Sequence, residues 1–195
     1  MIIVYNYNNT DPMISFKSQI AVKVLGYFFL NPESRRYINE LADLLAVDPG
    51  NLSRKLIELE KEKIMASDRR GNQRYYFLNK DYPLLREVKK MFDVDFGLPR
   101  IIEKKLGKLK GLDHAYIYGS WAKNAMDKES DIDLLLVGSH SSLEAKRRLL
   151  PLQKEIGREI SVVDMGQKEF KQAMVEGDPF VKNIFSDKII ELATK

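Results

Sequence analysis

The fold of the C-terminal half of this chain is decided by the segment Tyr118-Gly119-Ser120-Trp121-Ala122-Lys123-Asn124-Ala125-Met126-Asp127-Lys128-Glu129-Ser130-Asp131-Ile132-Asp133-Leu134-Leu135-Leu136-Val137. An apolar stretch ends at Tyr118, and an Asp-x-Asp pair begins the next one. Gly119 permits a sharp turn and a close approach to a ligand, and Ser120 offers a hydroxyl group. A helix after Ser120 would present free N–H groups to a phosphate. The segment predicts a strand, a turn, a short helix and a second strand.

The acidic pair at the start of the second strand indicates a metal site. Asp131 and Asp133 are two residues apart, so both side chains project from one face of the strand while Ile132 packs on the other. Each feature alone also fits an ordinary turn or a solvated strand end. Their combination favours a function, because buried strands avoid paired carboxylates unless cations are present. We predict a two-ion magnesium site in which Asp131 and Asp133 are catalytic, with a nucleoside triphosphate, expected to be ATP, as substrate.

This segment resembles the signature of polymerase-beta-like nucleotidyltransferases, in the minimal form related to kanamycin nucleotidyltransferase. The resemblance spans roughly Leu98 to Glu191. It implies that Gly119 and Ser120 bind the triphosphate and that a nucleoside monophosphate passes to a hydroxyl group with release of pyrophosphate. It also implies that a small helical partner of the HEPN type, as in toxin and antitoxin pairs, is a further candidate acceptor.

The sequence departs from this family pattern after the glycine and serine. Trp121 stands where an arginine or a small residue is common, and we expect it to pack rather than to stack on a base. Asn124 stands where a glycine often follows. Lys123 keeps a positive charge and is a candidate phosphate contact, although a solvated lysine is an equally good interpretation.

The family usually adds a third carboxylate on a neighbouring strand. In the predicted strand Glu159 to Val163, the aligned position is Ser161. Glu159 shares its face, whereas Asp164 would point to the opposite face if the strand continued regularly. We predict Glu159 as the third catalytic carboxylate, and Asp164 or no third carboxylate remain alternatives.

The N-terminal half has a different pattern. Helical periodicity runs from Phe16 to Phe29, begins again near Tyr37, and predicts a third helix from Asp48 to about Lys63. Two short strands, Ile64 to Arg69 and Arg74 to Leu78, form a predicted hairpin. Helix, helix-turn-helix and hairpin follow one another in the order of a winged helix.

Polar and basic side chains lie at the start of the third helix and around the hairpin. They are Asn51, Ser53, Arg54, Lys55, Arg69, Arg70 and Arg74. The first four suit base edges and phosphates, and the three arginines suit the flanking DNA backbone. A solvated face could carry the same residues, but their arrangement favours DNA binding.

The stretch Tyr37 to Pro83 resembles winged-helix regulators of the ArsR and MarR kind. The resemblance implies a homodimer, with Phe16 to Phe29 or Tyr82 to Phe92 as its interface.

The predicted fold class is α+β, with a winged helix-turn-helix domain followed by a small mixed α/β nucleotidyltransferase domain. Proline ends one helix and can begin another at Gly97-Leu98-Pro99, so we place the boundary there and predict domains at 1–97 and 98–195. In the second domain, helices from Ser142 to Ile156 and from Gln167 to Glu176 alternate with the strands.

Composition narrows the chemistry further. The chain of 195 residues contains no cysteine and two histidines, so cysteine-ligated zinc and histidine-rich metal sites are excluded. We expect His114 to be structural and His140 to be exposed in a loop. No stretch reaches the length of a membrane span, so we expect a cytoplasmic protein without a membrane partner.

Two functions remain open from the sequence. The first is an active, magnesium-dependent nucleotidyltransferase coupled to a DNA-binding winged helix. The alternative is a DNA-binding transcriptional regulator whose nucleotidyltransferase domain senses a nucleotide or is catalytically inactive.

Overall fold

The computed structural model describes residues 16–123 and 130–192. The helices are α1 (Gln19–Leu30), α2 (Ile38–Leu45), α3 (Pro49–Lys61), α4 (Leu85–Phe96), α5 (Leu98–Leu106), α6 (Gly119–Ala122), α7 (Ser142–Ile156), α8 (Gln167–Glu176) and α9 (Pro179–Ser186). The strands are β1 (Arg36–Tyr37), β2 (Met65–Arg70), β3 (Gln73–Leu78), β4 (Leu112–Tyr118), β5 (Ile132–Gly138), β6 (Ile160–Met165) and β7 (Ile190–Leu192). Among these helices none is both long and apolar enough to cross a lipid bilayer.

The N-terminal half packs helices against a small antiparallel sheet of order β1-β3-β2. In the β2–β3 hairpin, Arg70 pairs with Gln73, and Gly71 takes a φ of +60° in the turn between them. Glycine adopts this left-handed conformation without steric cost, which explains the tight turn. Residues 69–74, around this turn, are exposed.

Helix α3 begins where the sequence predicts. The side chain of Asp48 accepts a hydrogen bond of 2.8 Å from the Asn51 N–H, and Pro49 occupies the first helical position. Its apolar stripe lies in the first hydrophobic cluster, which includes Leu52, Leu56, Leu59, Val24, Leu25, Phe28, Val88 and Phe92. Burial of this stripe leaves the opposite face of α3 exposed.

The C-terminal half is built on a mixed sheet of order β6-β5-β4-β7. Strand β4 is antiparallel to both β5 and β7, and β5 is parallel to β6. Helix α7 makes the connection between the two parallel strands.

Each face of this sheet has its own hydrophobic cluster. The second cluster lies on the side of α5 and α7 and includes Ile102, Leu106, Ile117, Ile132, Leu134, Leu149 and Leu152. The third cluster lies on the side of α8 and α9 and includes Tyr116, Leu135, Val137 and Ile184, with Phe170 and Phe185 packed against them. Alternation along β5 sends successive side chains to these two clusters.

Most of the predicted helices and strands are confirmed within one or two residues. The bounds of α7 and α8 agree with the prediction. The periodicity did not predict β1, α9 or β7, which are short and lie between loops. Asp131 and Glu159, predicted at the heads of strands, each lie one residue before the strand.

Hydrogen bonds link the two halves at the end of α1. The Asn31 side-chain amide donates to the carbonyl of Ile156, at 2.7 Å, and the Arg158 Nε donates to the carbonyl of Leu30, at 2.9 Å. The end of α1 therefore lies against the end of α7 and the start of β6.

Candidate functional site

Gly119 connects β4 to α6 with a φ of +72°. A Cβ atom at this position would overlap with Oδ2 of Asp133 and lie 3.1 Å from its Cγ. The backbone therefore needs glycine for its conformation and also for the close approach of the carboxylate. Ser120 follows at the start of α6 and is half-buried.

The acidic pair lies beside this turn. Asp131 is exposed, Ile132 is fully buried, and Asp133 is half-buried on β5. Asp133 pairs with Tyr118 on β4 and with Ser161 on β6. Asp133 thus lies on an inner strand of the sheet, between Tyr118 and Ser161.

The environment of Asp133 disfavours its negative charge. Burial, and then the charge of Asp131, raise the pKa of the Asp133 carboxyl group. Burial and the charge of Asp133 likewise raise the pKa of the Tyr118 phenol. No ion pair with another described residue neutralises Asp131 or Asp133. This end of the sheet is therefore an acidic site that a cation would stabilise.

The neighbouring strand does not place a carboxylate directly opposite Asp133. Ser161 occupies that position, and Glu159 is exposed, with its carbonyl accepting a 3.0 Å hydrogen bond from the Ile132 N–H. Within the described residues, no three acidic or histidine side chains are grouped so that they could hold one metal ion. The catalytic role of Glu159 therefore stays a prediction.

Asp164 points away from this site. It pairs with Leu136 on β5, on the opposite face from Asp133, and its Oδ1 lies 2.7 Å from the Nε2 of His140. The prediction that His140 is exposed is wrong, since its side chain is only 1% exposed. The loop position of His140 suggested exposure, but the hydrogen bond to Asp164 holds the ring in the protein interior.

Magnesium fits the donor set that remains. Hard divalent cations take oxygen ligands, and magnesium usually keeps several water or phosphate ligands beside one or two carboxylates. Asp131 and Asp133 supply two carboxylates without a cationic partner among the described residues. The rest of the coordination shell would come from phosphate oxygens and water.

Comparison with known proteins identifies this part of the chain. Residues 101–186 match the family model described as Polymerase beta, Nucleotidyltransferase. These residues form a nucleotidyltransferase domain. No curated protein sequence matches the chain.

Three solved structures have low similarity to parts of the chain. A toxin-antitoxin with AMP-PNP has 16% identity and a TM-score of 0.37, covering 50% of this chain and 74% of that chain. Reduced HlyU from Vibrio cholerae N16961 has 20% identity and a TM-score of 0.27, covering 39% and 84%. A Sulfolobus solfataricus protein assigned as a nucleotidyltransferase has 22% identity and a TM-score of 0.26, covering 38% and 68%. None of them assigns a function to this chain.

Lys123 of the nucleotidyltransferase domain forms an ion pair with Asp187. Its Nζ lies 2.5 Å from the Oδ2 of Asp187, just after α9. The lysine is about half exposed, so this ion pair contributes little to stability. Asn124, the other departure from the family pattern, lies outside the described residues. Trp121 is half-buried against the second cluster, as expected of a packing residue.

Arg158 is a residue of this domain that the sequence did not single out. It is 9% exposed, its Nη1 donates to the carbonyl of Ser130 at 2.7 Å, and its Nε donates to Leu30 in the other half. Beside it, a cavity of about 800 Å³ is lined by residues of both halves, including Asn31, Arg36 and Trp121. An arginine preceding a strand gives no sequence signal for such contacts.

The predicted DNA-binding residues of α3 lie on or beside its exposed face. Asn51 and Arg54 are exposed and hydrogen-bonded to each other, and Ser53 is half-buried. The half-buried Lys55 forms an ion pair with Glu58.

The three arginines of the hairpin differ in their partners. Arg69 and Arg70 are exposed, and Arg70 lies 3.8 Å from Asp68. Arg74 instead donates to Glu60 on α3, at 2.6 Å, and to Ser67. Arg70 is thus more accessible to a ligand than Arg74.

Proposed function

We propose that this protein is a magnesium-dependent nucleotidyltransferase that transfers a nucleoside monophosphate from a nucleoside triphosphate, expected to be ATP, to a hydroxyl acceptor. The observation that carries the proposal is the fit between Gly119 and Asp133. A glycine with positive φ brings the start of α6 against a carboxylate whose charge has no cationic partner among the described residues.

In this proposal Asp131 and Asp133 hold magnesium, and Gly119 and Ser120 receive the phosphates. Magnesium, when bound, would neutralise charge on the reacting phosphate and on the departing pyrophosphate. Because Gly119 has no side chain, the Asp133 carboxylate lies directly against the turn that receives the phosphates. The Ser120 hydroxyl donates to a phosphate oxygen, and Lys123 exchanges Asp187 for a phosphate.

The transfer forms a bond between the acceptor oxygen and the α-phosphorus and breaks the bond from that phosphorus to the bridging oxygen. Pyrophosphate leaves with the electrons of the broken bond. The acceptor hydroxyl loses its proton, and Glu159 is the candidate base because it precedes β6 on the same side as Ser161. Most of the rate enhancement comes from positioning and charge neutralisation.

The first test is transfer of label from a nucleoside triphosphate carrying a radioactive α-phosphate, with magnesium and a panel of hydroxyl acceptors. We expect Asp131→Asn and Asp133→Asn to reduce transfer by about 100-fold or more, because each removes charge from the site. Asp95→Asn changes an exposed aspartate on α4 and should leave transfer unchanged. Label transfer that survives both site variants would reject the assignment.

We also propose that the N-terminal half is a winged helix-turn-helix domain that binds DNA. The order of α1, α2, α3 and the β2–β3 hairpin supports this, as does the exposed polar face at the start of α3. The domain boundary at Gly97 is supported by packing. Phe92 of α4 belongs to the first cluster, and Leu98 of α5 belongs to the second.

A homodimer and a HEPN-type partner remain parts of the proposal. Of the two segments predicted for a dimer interface, α1 is buried in the first cluster. Helix α4 keeps Met91 and Val94 exposed, and Leu84, just before it, is exposed as well, so this segment suits the interface better.

A second function is favoured by Ser161. A serine opposite Asp133 leaves the site without a third carboxylate in register, which suits a nucleotide sensor better than a fast enzyme. In this case the protein is a transcriptional regulator, and nucleotide changes its binding to its own upstream DNA. A gel-shift assay with and without ATP tests this, and absence of specific DNA binding under both conditions would count against it.

A further inference from the structure

Phe180 presents an open aromatic ring beside the proposed site. The residue is 41% exposed, and its ring packs edge-on against Tyr118, with centroids 6.3 Å apart and planes at 90°. Tyr118 is the register partner of Asp133. Phe180 therefore lies next to the residue that pairs with Asp133, on the same face of the sheet.

The start of α9 fixes the position of this ring. Oδ1 of Asp178 accepts hydrogen bonds from the N–H groups of Phe180, at 2.9 Å, and Val181, at 3.0 Å. Val181 and Ile184 are buried on the inner side of the helix. The helix is therefore anchored on both sides of Phe180, and the ring stays at the surface.

The other aromatic residue next to the glycine and serine is less suitable as a platform. Trp121 packs against the second cluster, whereas Phe180 is the aromatic member of the exposed large hydrophobic side chains in the described chain. Tyr118 contacts the Phe180 ring in a T-shaped arrangement, and Phe180 stays 41% exposed. A flat, uncharged ring in this place matches the flat surface of a nucleobase.

We propose that Phe180, supported by Tyr118, is the stacking platform for the base of the nucleoside triphosphate. This inference rests on the proposed function and adds a binding contact for the nucleoside. Phenylalanine has no hydrogen-bonding group with which to distinguish bases, and stacking tolerates any base. The platform therefore binds purine and pyrimidine triphosphates alike, and the phosphates are held separately at Gly119 and the aspartates.

The test is calorimetric titration of the full chain, in magnesium, with ATP, CTP and inorganic tripolyphosphate, which lacks a nucleoside. We expect Phe180→Ala to weaken ATP and CTP binding by about ten-fold, because the base loses its stacking partner, and to leave tripolyphosphate binding unchanged. Phe180→Leu keeps an apolar side chain, so it is the second variant if Phe180→Ala fails to fold. It should show the same selective loss of ATP and CTP binding. Phe180→Trp keeps an aromatic ring and should bind ATP and CTP about as tightly as the natural chain.

Met174→Ala is the matched control, because Met174 is 50% exposed on α8, and binding of all three ligands should stay unchanged. The platform is rejected if Phe180→Leu binds ATP as tightly as the natural chain, or if it loses ATP and tripolyphosphate equally. Failure of the proposed function would give a different result. The natural chain would then show no binding of ATP or tripolyphosphate that Asp133→Asn abolishes. That outcome overturns the platform as well.

Discussion

Gly119 carries the chain from β4 into α6 with a φ of +72°, and its missing Cβ leaves room for the Asp133 carboxylate. Two different demands therefore meet at one residue. A left-handed backbone costs any other residue roughly 1–2 kcal/mol, and a side chain here would also displace the carboxylate. The need for a missing side chain can be separated by experiment from the need for a left-handed backbone.

Gly177 provides the comparison, because it has a φ of +71° and nothing within 4 Å of an added Cβ. We expect Gly177→Ala to lower the free energy of unfolding by about 1 kcal/mol and leave nucleotidyl transfer intact. Gly119→Ala should reduce transfer by about 100-fold, since small misplacements of reacting groups have effects of this size. Urea unfolding and the label-transfer assay measure the two quantities, and equal transfer by both variants would contradict the account.

Sequence spacing predicts side-chain direction well but predicts burial less well. The alternation of residues places Asp133 and Ser161 on one face and Asp164 on the other, and the strand register agrees. The buried position of His140 could not be predicted, because it depends on a hydrogen bond to a residue on a different strand. Local periodicity contains no information about that partner.

Helix α3 and the β2–β3 hairpin are joined by Arg74. Its guanidinium bonds both Glu60 on α3 and Ser67 on β2. Arg70, at the tip, is 62% exposed at its side chain, with Asp68 at 3.8 Å and the Tyr75 ring 5.7 Å from its guanidinium carbon. We therefore expect Arg74 to position the hairpin and Arg70 to contact a DNA phosphate.

The salt dependence of binding to duplex DNA tests this division. Each phosphate contact adds about 0.9 to the slope of log K against log salt concentration, so Arg70→Ala should reduce the slope by about 1. Arg86→Ala, on the exposed side of α4, is the control and should not change it. Identical slopes for the natural chain and Arg70→Ala would contradict the role of the hairpin.

The elements that the sequence predicted have strong local signals. Helix α7 has the Ser141 side chain at its start, accepting from the Glu144 N–H, and Gly157 in a left-handed conformation at its end. Strand β7 is only three residues long and gains its stability from pairing with β4, which is distant in sequence. Short elements of this kind depend on tertiary contacts that no periodicity reveals.

At the level of the whole molecule, Arg158 joins the two halves. It bonds the carbonyl of Leu30 at the end of α1 and the carbonyl of Ser130, next to Asp131. One buried side chain therefore connects the proposed DNA-binding half with the proposed site. The contact with Leu30 spans 128 positions in sequence, which is why sequence patterns could not predict it.

Replacing Arg158 tests the strength of this connection. Arg158→Met keeps much of the apolar volume but removes the donors, so we expect the free energy of unfolding to fall by about 2 kcal/mol. Arg86→Met, at an exposed position, should change it little. An unchanged urea midpoint for Arg158→Met would show that these hydrogen bonds do not stabilise the chain.

The most direct test of the central claim is a crystal structure with magnesium and a non-hydrolysable nucleoside triphosphate. We predict magnesium on Asp131 and Asp133, the phosphates beside Gly119 and Ser120, and the base on Phe180. A triphosphate bound elsewhere, for example in the cavity beside Trp121 and Arg158, with no ion on the two aspartates, would contradict the account.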